Sequence, residues 1–421
     1  AQAQAPQAAA AQAAAKSEPH VAETKGHRFG LESADGQYSI YLTGRLHFDM
    51  GDYLDYHKNS KATTPSDLTS GVNARRARIG VVGTFAGDWD YGLIADFGGS
   101  TDVGGPSYIE NAYVTYNGFK KAGTPLAFDL GYIDTPFTLD EATSSNDIMF
   151  MERSSAQVIA TEFGAGDNRS AFGLRSNNDR YWFGLYGTGP TSGATHTTGE
   201  PYAVFGRFTY QLLQGPDYSL HLGVNALQML KAAGPTNDLT LSDRPELRID
   251  PTSLLSTGAL SNVSGGGVYG VEAAAGFQSL YLQGEYFHYV LNREGLSSNT
   301  FNGGYVEGSW TLTGEHRKYN PSTGAYSGIT PDHPFALSGA GFGAFELAVR
   351  YSEIDLDDAV GGANAVGGGR QSVYTLGLNW YPNANMRFML DYLHGTVHRS
   401  PAGTDLGANF DAIAARTQIA F

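Results

Sequence analysis

The sequence predicts an all-β chain whose strands close into a transmembrane antiparallel β-barrel, and three observations predict it. Apolar and polar side chains alternate along many segments. No apolar run is long enough for a membrane-crossing helix. The composition is rich in glycine and aromatic residues and poor in charge.

Alternation has a single geometric cause: successive side chains of a strand point to opposite faces, so a period of two sorts them by solvent. In YSIYLTGRLHFDM, residues 38–50, Ile40, Leu42, Gly44, Leu46, Phe48 and Met50 share one face. Ser39, Tyr41, Thr43, Arg45, His47 and Asp49 share the other. The split recurs where Met386, Phe388, Leu390 and Tyr392 oppose Arg387, Met389 and Asp391, and where Tyr374, Leu376, Leu378 and Trp380 oppose Thr375, Gly377 and Asn379. A soluble sandwich or propeller also alternates, and a single strand does not separate the two cases. Repetition of the pattern, with Gly, Thr and aromatic side chains among its members, favours the membrane barrel. The chain closes on ARTQIAF, with Ala415, Thr417, Ile419 and Phe421 on one face; this ending resembles that of bacterial outer-membrane barrels.

A helical span needs a run of about 18 or more apolar residues, and none occurs; strands remain as the means of crossing. The 55 Gly, 25 Tyr and 22 Phe among 421 residues, with 16% charged, suit strands and turns. A formal net charge of -15 without a basic block argues against a nucleic-acid partner. The absence of cysteine removes disulfides, a thiolate nucleophile and Cys-based metal sites. The chain starts at Ala1 and shows no basic segment followed by an apolar one, so we expect an exported chain whose signal has been removed.

Residues 1–30, opening AQAQAPQAAAAQAAAKSEPH, lack the large apolar side chains that a core requires. They are expected to be a periplasmic tail, disordered or a short helix, since Ala and Gln are good helix formers. Residues 31–421 are expected to be one barrel, because turn-like clusters such as GAGDNRS, GPTSGATHTTGE and VGGANAVGGGR punctuate alternating segments without a break in composition.

The segments GRLHFDMGDY (from Gly44), RRARIGVVGTFAGDWDY (from Arg75), NAYVTYNGF (from Asn111), LDEATSSNDIMFMERS (from Leu139), WTLTGEHRKY (from Trp310), FELAVRYSEIDLDD (from Phe345) and TLGLNWYPN (from Thr375) carry a further signal. Together they resemble the phosphate-selective porin O and P family, in the family's order. The resemblance implies 16 strands, a homotrimer in the bacterial outer membrane, and a third loop folded into the pore. It also implies an arginine-lined path for small hydrophilic solutes or inorganic anions, with no cofactor. The residues it assigns to the pore are Arg45 in GRL, Arg75, Arg76 and Arg78 in RRAR, Asp96 on the next strand, Ser144 and Ser145 in ATSS, and Arg153 in MERS. A guanidinium stays charged at any relevant pH, and its fork of donors can replace water around an oxyanion.

One departure bears on selectivity. Where the family's phosphate-selective members carry lysines beside ATSS, this chain has Glu141 before it and Asn146 after it. A carboxylate several Å from a permeating anion changes its energy by roughly 1–3 kcal/mol at an effective dielectric near 20. The expected outcome is a transverse field between Asp140 and Glu141 on one side and Arg45, Arg76 and Arg153 on the other, and no phosphate specificity. Two readings of other classes stand beside this one: a structural anchor in the outer membrane, and a barrel hydrolase using His47 and Asp49, which share a face. No nucleophile elbow, HExxH or phosphate-binding loop accompanies that pair.

Overall fold

The structure, a computed structural model, describes residues 20–23, 28–59, 67–98, 108–121, 123–191, 199–232, 234, 237–359, 362, 364–400, 404 and 406–421. Most of the expected tail, residues 1–19 and 24–27, lies outside the described residues. Sixteen antiparallel strands close into a barrel. They are β1 (Ser39–Lys58), β2 (Gly71–Phe85), β3 (Trp89–Asp96), β4 (Tyr108–Tyr116), β5 (Leu126–Ile133), β6 (Arg169–Asn177), β7 (Tyr181–Thr188) and β8 (Tyr202–Gln214). The second half comprises β9 (Tyr218–Lys231), β10 (Val263–Phe277), β11 (Leu280–Arg293), β12 (Asn299–Thr311), β13 (Ala344–Asp358), β14 (Val366–Asn383), β15 (Met386–His398) and β16 (Ala408–Ala420). Two short strands, His20–Glu23 and Phe29–Glu32, form a hairpin laid against the start of β1.

Each barrel strand pairs with its successor, and β16 returns to β1 with Arg416 opposite Asp49 and Gln418 opposite His47. Closure leaves no free edge, which a membrane-spanning sheet requires because hydrocarbon cannot satisfy its backbone groups. Phe421 completes the seam: its amide donates to Gly44 O and Gly44 N donates to Phe421 O, both at 3.0 Å. A Cβ at position 44 would come within 2.7 Å of the terminal ring, which would have to shift to admit it.

The predicted alternation is realised with apolar side chains outward. Ile40, Leu42, Leu46, Phe48 and Met50 are exposed, while Tyr41, Thr43, His47 and Asp49 are buried inside. Cross-strand neighbours extend the apolar wall around the barrel: Leu280 lies opposite Trp310, Trp310 opposite Leu347, Leu347 opposite Leu378 and Leu378 opposite Leu390. Aromatic rings gather at one end, where Phe345 and Phe388 both stack on Trp380. The turns at that end include 86–88, 178–180 and 215–217, whereas the opposite end carries the connections 134–168 and 232–262. Short turns mark the periplasmic end of such barrels.

Three segments fill the lumen, of which only the first was expected. The third loop, 134–168, contributes Phe137, Ile159 and Phe163 to a core with wall residues Trp182, Phe205 and Tyr289. The loop 232–262 lies over it, placing Leu239, Leu241 and Leu255 in the same cluster. From the periplasmic end, the unusually long connection 312–343 sends in a hairpin pairing Tyr319–Asn320 with Ala325–Tyr326. Inward side chains receive it: Trp182 Nε1 donates to Ser322 O at 3.0 Å, and Arg207 donates to Thr323 O at 3.1 Å and Gly324 O at 2.7 Å.

Candidate functional site

The third loop owes its shape to two capped turns. Helix α1 (Leu139–Ala142) begins where Thr138 Oγ1 accepts from Glu141 N at 3.0 Å, and α2 (Ser155–Glu162) begins where Ser154 Oγ accepts from Gln157 N at 3.3 Å. Such caps satisfy amides that a helix start leaves unpaired. Between the helices, the carbonyls of Asn146, Ile148, Met149, Met151 and Glu152 are met by donors from the wall. Arg387 donates to Ile148 O at 2.7 Å and Met149 O at 3.0 Å, Arg416 to Met151 O at 2.6 Å, and Arg350 to Glu152 O at 2.8 Å. Arg317 of the periplasmic connection donates to Asp147 O at 2.5 Å. The wall also supplies acceptors, as Glu285 receives the amides of Leu139 and Asp140 at 2.7 and 3.0 Å, and Asp391 that of Met151 at 2.8 Å. Buried backbone groups must be paired, and these contacts hold the loop across the lumen.

A cavity of about 570 Å³ opens beside the loop. Its cationic border is Arg45, Arg78, Lys120 and Arg175; its acidic border is Asp90, Asp129, Asp134, Glu141 and Asp147. Charge of both signs therefore faces the same space.

The predicted residues divide by how their charge is used. Arg75 donates to both oxygens of Glu152, at 2.9 and 3.1 Å, and Arg416 to the same carboxylate at 2.9 Å. Burial alone would raise the Glu152 carboxyl, but Arg75, Arg76 and Arg416 hold it well below the usual carboxylate range. Arg78 pairs with Asp96 at 2.6 Å and also with Glu110. Arg153 donates to Asp140 O and Thr143 O, each at 3.1 Å, and lies 3.5 Å from Glu141. Asp140 is buried within the loop, whereas Asp134 and Asp147 border the cavity.

Arg45 and Arg76 differ. Among the described residues neither has a carboxylate within ion-pair distance. Arg45 instead donates to Ser145 Oγ at 2.5 Å, and the Arg76 guanidinium approaches His47 Nδ1 at 3.5 Å. His47 Nε2–H donates to Asn146 Oδ1 at 2.9 Å, and Asp49 is taken by Arg416 at 2.6 and 2.7 Å. His47 and Asp49 thus serve different partners, and the pair that a hydrolase would need is not assembled. Ser144, Ser145 and Asn146 form the tip of the loop where it meets β1.

Glu141 is bound from several sides. Gln157 Nε2 donates to it at 2.5 Å and Asp167 N at 3.0 Å. Burial opposes its charge, yet Arg153, Asp134 and these donors keep its carboxyl below the ordinary value. Burial and the Glu141 charge push Asp134 well above its own, so that Asp134 is the protonated donor of the pair. Asp167 stands next to them with an exposed side chain, and desolvation by the surrounding protein with the Glu141 charge pushes it up to about 6.

The residues that sequence reasoning missed are Arg317, Arg350, Arg387 and Arg416. The inward parity of Arg350, Arg387 and Arg416 was readable, as for Arg387 opposite Phe388 in sequence, whereas Arg317 lies on no strand; nothing local showed that any of them would be spent on loop carbonyls.

Comparison with known proteins adds relatives to this geometry. The sequence profile of the family described as phosphate-selective porin O and P matches residues 40–421. Porin O of Pseudomonas aeruginosa is 25% identical over 93% of this chain and 90% of its own length. Among solved structures, an anion-selective porin from Comamonas acidovorans superposes with a TM-score of 0.57 at 13% identity, over 91% of this chain and all of that one. The outer-membrane channel DcaP of Acinetobacter baumannii gives 0.55 at 13% identity, over 95% and 99% of the two chains.

Proposed function

Since the chain belongs to the phosphate-selective porin O and P family and is a bacterial outer-membrane channel for passive diffusion, we propose that it passes small hydrophilic solutes through a charge-balanced constriction between β1 and the third loop, without phosphate specificity. The observation that carries this reading is the state of Arg45: it borders the cavity without a carboxylate partner, while Glu141 and Asp147 border the same space. An anion at the constriction gains from the Arg45 guanidinium and loses to the acids. Each of those contributions is about 1–3 kcal/mol over such distances at an effective dielectric near 20, so they offset one another. Polar and zwitterionic solutes can align with such a transverse field, whereas a simple oxyanion finds no cluster of unopposed donors.

The test is single-channel recording in planar bilayers. A salt gradient should give a reversal potential of modest size, and millimolar phosphate should leave the chloride current unchanged. Strong block of chloride by phosphate would reject the charge-balanced constriction.

A further inference from the structure

The outer half of the periplasmic connection, residues 333–343, leaves the lumen and lies against the outside of the barrel. Phe335 N donates to Pro382 O at 2.7 Å, and the Trp380 indole donates to Phe342 O at 2.8 Å. Phe335 packs edge-on against Trp380, joining the row in which Phe345 and Phe388 stack on the same ring. The segment is itself a tight hairpin, with Ala336 N donating to Gly341 O and Gly343 N to His333 O. Its close seat depends on Gly343, whose φ is +75° and where a Cβ would come within 2.4 Å of Tyr381 O.

What this hairpin shows to the outside is apolar. Leu337 is 95% exposed and Phe342 70%. No Asp, Glu, Lys or Arg occurs in HPFALSGAGFG, residues 333–343, whereas the turns 86–88, 178–180 and 215–217 at the same end each contain at least one. The row above it, Leu347 with Leu378 and Leu390, belongs to the lipid-facing wall.

We propose that residues 333–343 form a membrane foot, submerged in the periplasmic leaflet with phospholipid acyl chains as its occupant. Continuity carries the inference: the hairpin sits on Trp380, whose neighbours already face lipid. Its internal hydrogen bonds and those to Pro382 and Trp380 reduce the backbone desolvation that submersion costs. Aromatic residues at this level suit the boundary between acyl chains and headgroups.

The chain has no cysteine, so single labels can be placed at will. A bimane attached to Leu337→Cys in the full chain, reconstituted in phosphatidylcholine vesicles, is compared with labels at Leu378→Cys on the wall and Asp179→Cys in the turn 178–180. Brominated acyl chains should quench the Leu337 label within about twofold of the Leu378 label, and aqueous iodide should quench it far less than the Asp179 label. Quenching by iodide with none by bromine overturns the proposal, because the hairpin is then in water. Shielding from both also overturns it, because a protein surface such as a second copy then covers the hairpin.

Discussion

Arg45 of β1 and Ser145 of the third loop meet at 2.5 Å, the guanidinium donating to the hydroxyl. The contact ties the loop tip to the wall at the border of the cavity while leaving the arginine's charge without a carboxylate counterion.

Arg45→Ala should therefore shift the reversal potential toward cations, with barrel assembly unchanged, and Arg45→Lys should restore much of the original value. The shift should shrink between low and high salt, because screening shortens the reach of a charge acting through water. Identical reversal potentials for wild type and Arg45→Ala at low salt would remove Arg45 from the conducting path.

The carboxylate of Glu152 faces Arg75 and Arg416 together. Glu152→Gln keeps its shape but removes the buried carboxylate that Arg75 and Arg416 share, leaving Arg416 to Asp49, at a cost of roughly 3–5 kcal/mol. Arg370→Ala removes an exposed pair with Glu353 and should cost less than about 1 kcal/mol. The temperature at which each variant loses its folded mobility on an unboiled gel checks the ordering, and equal temperatures would contradict it.

Acidification should favour anions. Asp167, pushed up to about 6 by desolvation and the Glu141 charge, is ionised above that pH and neutral below it. Going from about pH 8 to about pH 5 leaves ordinary carboxylates ionised and removes the Asp167 charge next to Glu141. The reversal potential in a salt gradient should move toward anion preference across that range, and Asp167→Asn should flatten the change. A pH response that survives unaltered in Asp167→Asn assigns it elsewhere.

Leu390→Arg, on the outward face, should cost about 2–4 kcal/mol if the side chain lies near mid-membrane. Asn111→Arg, at the cavity border, should assemble normally and alter conductance. Met389 is unsuitable as the inward control, because it is buried in a cluster with Tyr53 and Met151 rather than wet. Equal folding yields for the two arginine variants would refute the inside-outside assignment.

The homotrimer implied by the family resemblance should appear as a slow-migrating, heat-dissociable species after mild detergent extraction, with cross-linking that stops at three copies. A detergent-extracted species that cross-links no further than one copy would exclude it.

Much of this was legible in the sequence because a barrel strand has a period of two and opposite solvents on its two faces. Parity alone separated Leu46 from His47 and Leu390 from Asp391, and the closing Phe421 marked the last strand. The family motifs located the third loop and its ATSS tip. What the sequence by itself did not determine is which inward arginine is free, since parity states a side and not a partner. Arg416 finds Asp49 only because β16 closes on β1, and it finds Glu152 only because the third loop folds beneath it. Arg350 finds Glu246 only because the loop 232–262 folds inward as well. These partners lie far apart along the chain, so tertiary structure decided whether each cation neutralises a buried carboxylate, holds a loop carbonyl, or is left to face a solute. For Arg45, the deciding circumstance is that the nearest polar atom brought to it by the infolded loop is a neutral hydroxyl rather than a carboxylate.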